Sequence, residues 1–216
     1  MLRSANDLHG FSIGATDGDV GQIEAFYFDP LKWTVCSIEV NAGGWLSPRK
    51  LLLSNLNVDA TDWYARTIET DLTREEVKRS PRLGVAVCGL RRHKGAATAS
   101  IDDVAGARST KEIAGCHIAA NDGAIGHVED VIIDDETWTI RYIVIDTRNW
   151  WPGKKVIIAP AWVSRVDWRN RRLHVDLSRR EIQDSPEYDD SSAIDRKFEE
   201  RLHEHYKQPG YWSESR

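Results

Sequence analysis

The chain has 216 residues, of which 41% are hydrophobic and 29% are charged, and its formal net charge is −5. This composition is that of a folded globular protein and excludes wholesale disorder. The mildly acidic balance argues against broad binding to nucleic-acid phosphates as the main task.

The cysteines and the N-terminal residues bear on the cellular compartment of the protein. Cys36, Cys88 and Cys116 are odd in number and widely spaced, a pattern that fits neither a disulfide framework nor a zinc cluster. The first residues carry no apolar signal segment, and no run approaches the ~20 apolar residues of a membrane span. These features predict a cytoplasmic protein without a membrane span.

An internal repeat organises the chain. The segment from Asp17 to Glu24 returns as Asp122 to Glu129, displaced by 105 positions. From Leu8 to Pro81, 23 of 74 positions are identical to their equivalents without a gap. The same displacement superposes three tryptophans and a closing Ser-Pro pair: Trp33 on Trp138, Trp45 on Trp150, Trp63 on Trp168, and Ser80-Pro81 on Ser185-Pro186. A tandem duplication is predicted, with a first domain at 1–81, a linker at 82–108 and a second domain at 109–186.

The first copy is predicted to be a set of short strands. Asp17-Gly18 is a hairpin turn, and Gly21 suits a bulge or a close backbone approach. The predicted strands are Val20 to Asp29, Trp33 to Val40, Arg49 to Leu53, Val58 to Thr61 and Thr67 to Thr70. A short helix follows, capped by Thr73 with Glu76 three residues later. Short strands with frequent turn signals favour a small closed β-barrel.

The linker and the second copy follow. Arg91 to Lys94 form a basic cluster beside small residues, which favours a solvated linker over an RNA or acidic-partner contact. The second copy repeats the pattern with strongly β-forming segments at Val128 to Ile133 and Trp138 to Ile145. A final strand at Leu173 to Leu177 and a short helix at Ser178 to Ile182 complete it.

The second copy carries an ordered set of motifs: Asp122-Gly123-x-x-Gly126-x-Val128-Glu129, then Trp138, Asp146-Thr147, Trp150-x-Pro152-Gly153-Lys154-Lys155-Val156-x-Ile158 and Ser185-Pro186. This set resembles the PRC-barrel family, named for the cytoplasmic domain of the photosynthetic reaction centre H subunit. The first copy is the weaker match, since Ser47-Pro48-Arg49 replaces Pro152-Gly153-Lys154. The resemblance implies a six-stranded antiparallel barrel that is used mainly to bind proteins and has no shared catalytic residues.

The tail, residues 187–216, is predicted to form a helix. Ile194, Phe198, Leu202 and Tyr206 recur every four residues, which predicts one apolar stripe. Packing within the chain is favoured over dimerisation or partner docking. The resulting fold class is all-β, with two tandem small antiparallel PRC-type β-barrels, a short helix after each barrel and a C-terminal helix.

Aromatic residues are the candidate interaction surface. Trp45, Trp150 and Trp151 lie at equivalent loop tips, and Tyr211 and Trp212 follow the C-terminal helix; aromatic residues at such places often anchor partners. The loop tryptophans could equally cover the barrel ends.

No residue is predicted to be catalytic, to bind a cofactor or to bind a metal. Glu24 and Glu129 recur and could serve a hydrolase, but a structural salt bridge explains both. His203 and His205 lie on different helix faces without a third ligand, so a solvated face is favoured over a metal site. Asp134 to Glu136 is interpreted as a charged turn.

The sequence therefore predicts a non-enzymatic protein-binding scaffold whose partner is unknown. A membrane-associated partner and a homo-oligomer through the C-terminal helix are left open. One alternative is a photosynthesis- or membrane-associated accessory protein related to the reaction centre H subunit but without its membrane helix. A second is an RNA- or ribosome-linked factor that uses Arg91 to Lys94.

Overall fold

A computed structural model describes residues 1–43, 49–80, 106–147 and 153–213. The chain forms two compact units, each assembled from more than one segment. Unit 1 comprises Met1, Arg3–Glu112 and Ile133–Ile140, and unit 2 comprises Leu2, Ile113–Ile132 and Arg141–Arg216. Residues 82–105 of the predicted linker, which include the basic cluster Arg91 to Lys94, lie outside the described residues.

Short strands dominate the described residues, as predicted. The strands are β1 (Leu2–Ser4), β2 (Ser12–Ala15), β3 (Gly18–Asp29), β4 (Thr34–Asn41), β5 (Lys50–Ser54), β6 (Val58–Asp62), β7 (Thr67–Thr70), β8 (Arg108–Ser109), β9 (His117–Ala120), β10 (Gly123–Asp134), β11 (Thr139–Asp146), β12 (Lys155–Ile158), β13 (Val163–Asp167) and β14 (Arg172–Val175). The α-helices are α1 (Ala5–Leu8), α2 (Arg74–Arg79), α3 (Thr110–Ile113), α4 (Arg179–Asp184) and α5 (Arg196–His205). The prediction of an all-β protein with few short helices is confirmed.

The two units share one strand order. Unit 1 runs β6–β7–β2–β3–β4–β5, and unit 2 runs β13–β14–β9–β10–β11–β12. Neighbours are antiparallel except for one parallel pair in each unit, β2 with β7 and β9 with β14. Within the described ranges, no strand pair joins the two ends of either series. Closure into a barrel therefore stays a prediction.

Hairpin turns recur with the same backbone in both copies. Gly18 and Gly123 have φ of 119° and 137°, values that favour glycine, so the Asp-Gly turns were correctly predicted. The turn between β3 and β4 is held by Asp29, whose carboxylate accepts from the amide of Leu31 at 2.8 Å. It ends at Trp33, which has φ of 53° and lies in the turn, just before the strand that it was predicted to start.

A close backbone approach is the reason for the glycine at Gly21. A Cβ added there would lie 2.2 Å from the carbonyl oxygen of Asn41. At Gly126 the corresponding distance, to the oxygen of Asp146, is also 2.2 Å, and φ is 63°. The close approach predicted at Gly21 is confirmed, and Gly126 repeats it, because neither site has room for a side chain.

The short helices close each strand set in the same way. Thr73 and Ser178 cap α2 and α4 with full capping boxes, as predicted at Thr73. The hairpin turn also contributes, since Asp17 accepts from the amide of Arg74 at 2.6 Å, and Asp122 does so from Arg179 at 2.8 Å. Turn and helix are thus joined in each copy.

Buried aliphatic and aromatic residues fill both units. The fully buried side chains of unit 1 include Phe11, Ile13, Phe26, Phe28, Ile38, Leu51 and Ile68. Those of unit 2 include Ile118, Ile125, Val128, Tyr142, Ile143, Ile157 and Leu173. Along β7 and β14, buried positions alternate with exposed or half-buried ones, as expected for strands with one face turned to a core.

The segment Ile133–Ile140 completes the core of unit 1. The amide of Val35 donates to the carbonyl of Trp138 at 2.7 Å, and the amide of Ile140 donates to that of Trp33 at 2.7 Å. Trp33 stacks on Phe28, and Trp138 packs on Phe26. The donors Val35 and Ile140 are 105 positions apart, and so are the acceptors Trp33 and Trp138. The two hydrogen bonds are therefore equivalent under the repeat.

The cysteines correct one prediction. Cys36 is disulfide-bonded, so the expectation that these cysteines form no disulfide is wrong at this residue. Cys116 is not disulfide-bonded and is buried. Among the helices of the described ranges, none has the length and apolar composition needed to cross a membrane.

Candidate interaction site

The predicted surface residues fall into two groups. Trp45, Trp150 and Trp151 lie outside the described residues, so their exposure stays a prediction. Tyr211 and Trp212 lie in unit 2, in a short 3-10 helix after α5, and both are half-buried. The structure therefore defines the predicted site only around these two residues.

Helix α5 packs onto unit 2 through a mixed polar and apolar face. Asp195 caps the helix by accepting from the amide of Phe198 at 2.7 Å. The buried positions are Glu199, Leu202, His203 and Tyr206. They are spaced i, i+3, i+4 and i+7, one helix face. The apolar stripe of the sequence is thus confirmed at Leu202 and Tyr206, whereas Phe198 is only half-buried.

A buried carboxylate lies at the centre of this face. Glu199 is only 3% exposed. Its Oε1 accepts from the hydroxyl of Tyr142 at 2.8 Å and from that of Tyr211 at 3.0 Å, and its Oε2 lies 3.1 Å from the guanidinium of Arg196. Three donors thus surround a charge that would otherwise be costly to bury. Helix α5 is thereby joined to β11, which carries Tyr142.

His203 extends this network. Its Nδ1 lies 3.0 Å from the carbonyl oxygen of Pro209, which can only accept, so Nδ1–H is the donor. Its Nε2 lies 3.1 Å from the hydroxyl of Tyr142. Burial lowers the pKa of His203 and raises those of Tyr142 and Tyr211. The prediction that His203 lies on a solvated face is wrong, because this side chain is an internal hydrogen-bonding group.

Arginine side chains hold the two candidate aromatics. The guanidinium of Arg141 lies 4.1 Å from the ring centre of Tyr211, and that of Arg196 lies 4.1 Å from the ring centre of Trp212. The ring of Trp212 also meets that of His203 edge-on at 4.9 Å. Such cation–π contacts fix the orientation of aromatic rings. Tyr211 and Trp212 are therefore held in place by the chain and are only partly available to a partner.

This network belongs to the second copy alone. At the position of Tyr142 the first copy has Ser37, and at the position of Trp162 it has Asn57. Trp162 packs on Tyr206 with ring centres 4.5 Å apart, a contact that Asn57 has no ring to make. The sequence analysis missed Glu199 and His203 because it followed the apolar residues of the helix, and these two polar residues lie beside that apolar stripe. The i, i+3, i+4, i+7 spacing that begins at Glu199 and ends at Tyr206 would have indicated that these positions share one buried helix face.

The recurrent carboxylates are held by lysines. Glu24 accepts from Lys50 Nζ at 2.7 Å and from the side-chain Nδ2 of Asn41 at 2.9 Å. The hydrogen bond from Lys50 lowers the pKa of Glu24 from 4.5 to about 2. In the second copy, Glu129 lies 3.0 Å from Lys155. With its pKa lowered in this way, Glu24 is ionised at neutral pH and has no proton to give as a general acid.

Among the described residues, no group of three or more His, Cys, Asp or Glu side chains could hold a metal ion. The prediction of no metal and no cofactor stays a prediction. Tyr142, Glu199 and His203 are all buried, so their network lies inside unit 2. What this arrangement does is fix a helix and two aromatic rings on a β-sheet.

Unit 2 is thus an antiparallel β domain with one parallel strand pair, covered by a helix that an internal hydrogen-bond network holds. Residues 107–182 match the family model of the PRC-barrel domain. A search of curated proteins finds no match for the chain. The match lies on the second copy, which the sequence motifs had marked as the closer one.

Proposed function

We propose that the chain is a non-enzymatic protein-binding scaffold built from two PRC-type domains. The match at residues 107–182 carries this proposal, because the family suggests a protein-interaction role in general. The first copy supports a second domain of the same type: its strand order and its parallel pair β2–β7 repeat those of unit 2.

The proposed binding surface centres on the aromatic residues of the second copy. Tyr211 and Trp212 are half-exposed and stack under Arg141 and Arg196. Tyrosine, tryptophan and arginine are the residues in which interface energy concentrates. Because the rings are already held in place, a partner would order few side chains on binding. Trp150 and Trp151 are proposed to belong to the same surface.

Affinity capture followed by reconstitution tests the proposal. A partner captured with the full-length protein is identified, purified and titrated against the wild type, the double variant Trp150→Ala with Trp151→Ala, and Trp212→Ala. Each of these variants is expected to weaken binding at least about 10-fold, the loss typical of an aromatic anchor. Leu31→Ala is the matched control, since Leu31 is 91% exposed on a hairpin turn of unit 1. Unchanged binding by the aromatic variants would reject this surface.

The absence of enzymatic activity is part of the proposal. The lysine contact of Glu24 supports it, because the lowered pKa leaves this carboxylate without a proton to give as a general acid. A broad panel of ester, amide, phosphate and glycoside substrates provides the test. Turnover that is lost in Glu24→Gln or Glu129→Gln would overturn this part of the proposal.

A cytoplasmic location is also proposed, on the composition of the chain. The disulfide at Cys36 counts against it, since disulfides are rare in reducing compartments. The discriminating measurement is thiol labelling in intact cells, followed by mass spectrometry. Labelling at Cys36 would show a reduced thiol and support the cytoplasm, whereas protection at Cys36 would place the chain in an oxidising compartment.

A further inference from the structure

The outer hairpin of unit 2, β13 to β14, is rich in arginine. Residues 163–175 contain Arg165, Arg169, Arg171 and Arg172 against Asp167 as the one acidic residue, a net charge of +3 with histidine neutral. All four arginines are exposed. Within the described ranges, no carboxylate lies within salt-bridge distance of any of them. Asp167 instead binds Asn170 at 2.8 Å within its own turn.

Strand register places several of these cations on one face. Arg165 pairs with His174 across the hairpin, and Arg172 lies beside His117 of β9 in the parallel register. Leu173, between Arg172 and His174, is fully buried and points inward. The side chains of Arg165, Arg172, His174 and His117 therefore share the outward side of the sheet. We call these four residues, with Arg169 of the turn, the arginine face.

The same hairpin of unit 1, β6 to β7, has the opposite character. Residues 58–70 contain Asp59, Asp62 and Glu69 against Arg66 alone, a net charge of −2. All three carboxylates are exposed. The turn also holds Tyr64, whose side chain is fully exposed, at the position of Arg169 in the other copy. We call Asp59, Asp62, Tyr64 and Glu69 the acidic face.

The common fold does not require either charge, because the two hairpins have the same place in the strand order and opposite signs. Guanidinium groups bind carboxylates through paired hydrogen bonds and stack on tyrosine rings. We propose that the arginine face of one molecule docks on the acidic face of a second copy of this chain, so that molecules associate head to tail. The net charge of −5 disfavours a nucleic acid as the occupant.

Exposed ion pairs are individually weak, so the association is expected to depend on protein concentration and on salt. Sedimentation velocity of the full chain, at increasing protein concentration, measures self-association in about 0.1 M and in about 1 M salt. The electrostatic screening length falls from about 10 Å to about 3 Å between these two salt concentrations. Association should weaken at least about 10-fold at the higher salt. A head-to-tail contact that repeats from molecule to molecule leaves one arginine face and one acidic face open at the ends, so species beyond a dimer are expected.

Charge reversal gives the decisive comparison. Arg165→Glu with Arg172→Glu, and Asp62→Lys with Glu69→Lys, should each abolish self-association, because each molecule then carries two faces of like sign. An equimolar mixture of the two double variants should restore it. Arg180→Glu with Arg201→Glu is the control: it changes the charge equally at exposed positions of unit 2 outside the arginine face.

The inference is overturned by a wild type that stays monomeric in about 0.1 M salt, where the screening length still spans about 10 Å, or by a mixture that fails to restore association. Loss of association in the control variant would show a general charge effect and would also overturn it. If the wild type is monomeric but poly-glutamate binds and requires Arg165 and Arg172, the face serves a different acidic protein. Circular dichroism verifies that each variant is folded.

Discussion

Removal of one buried hydroxyl tests the role of helix α5. In Tyr142→Phe the ring stays in its fully buried place, but the hydroxyl that donates to Glu199 at 2.8 Å and lies 3.1 Å from His203 is lost. Hydrogen bonds to charged groups contribute about 1.5–3 kcal/mol. Since Tyr211 and Arg196 still contact Glu199, we expect a loss of about 2 kcal/mol from this range.

Hydrogen exchange of the α5 amides measures this loss locally, without assuming that the two units unfold together. A change of about 2 kcal/mol corresponds to ~30-fold faster exchange through local opening. Tyr64→Phe is the control, because that side chain is fully exposed, and it should leave exchange unchanged. An increase below about threefold, or one matched by the control, would refute the assignment of the Tyr142–Glu199 bond as the main attachment of α5.

Three further predictions concern stability. The pKa of Glu24 is lowered to about 2 in the folded chain, so its stabilising effect is complete above 4.5 and is lost as the pH falls towards 2. Urea midpoints should therefore separate wild type from Glu24→Gln at pH 7 and converge near pH ~2; a constant difference would contradict this. Gly126→Ala should cost about 2–3 kcal/mol by urea unfolding, because its Cβ would meet the oxygen of Asp146, whereas Gly10→Ala, in open space, should cost only about 1 kcal/mol. Ser178→Ala removes a helix cap and should lower thermal stability by about 1 kcal/mol; an unchanged melting temperature would show that the cap is dispensable.

Local chemistry made much of the fold predictable. Asp-Gly pairs, capping residues and alternating apolar residues act within a few positions, so Thr67–Thr70 and the cap at Thr73 match the structure at their predicted places. β2 and β9 were missed because Ser12–Ala15 and His117–Ala120 are short and have small or polar residues. Their strand conformation depends on partners that are distant in sequence.

The candidate site was predictable only in part, for a related reason. An apolar stripe shows that a helix face is buried, and Leu202 and Tyr206 follow that rule. Burial of Glu199 depends on donors from β11 and from the residues after the helix, which no periodicity reveals. A prediction from sequence places charged and histidine side chains in solvent, because they are rarely buried. An internal hydrogen-bond network that satisfies them allows their burial.

The parallel pair in each unit has a consequence for biosynthesis. His117 of β9 pairs with Arg172, 55 residues later, and Ser12 of β2 pairs with Thr67 at the same separation. Each first strand therefore lacks one neighbour until nearly the whole copy has left the ribosome. Such non-local pairing slows folding and leaves a strand edge open to other nascent chains. Translation pauses placed after Thr70 rather than before it should therefore improve the yield of folded protein.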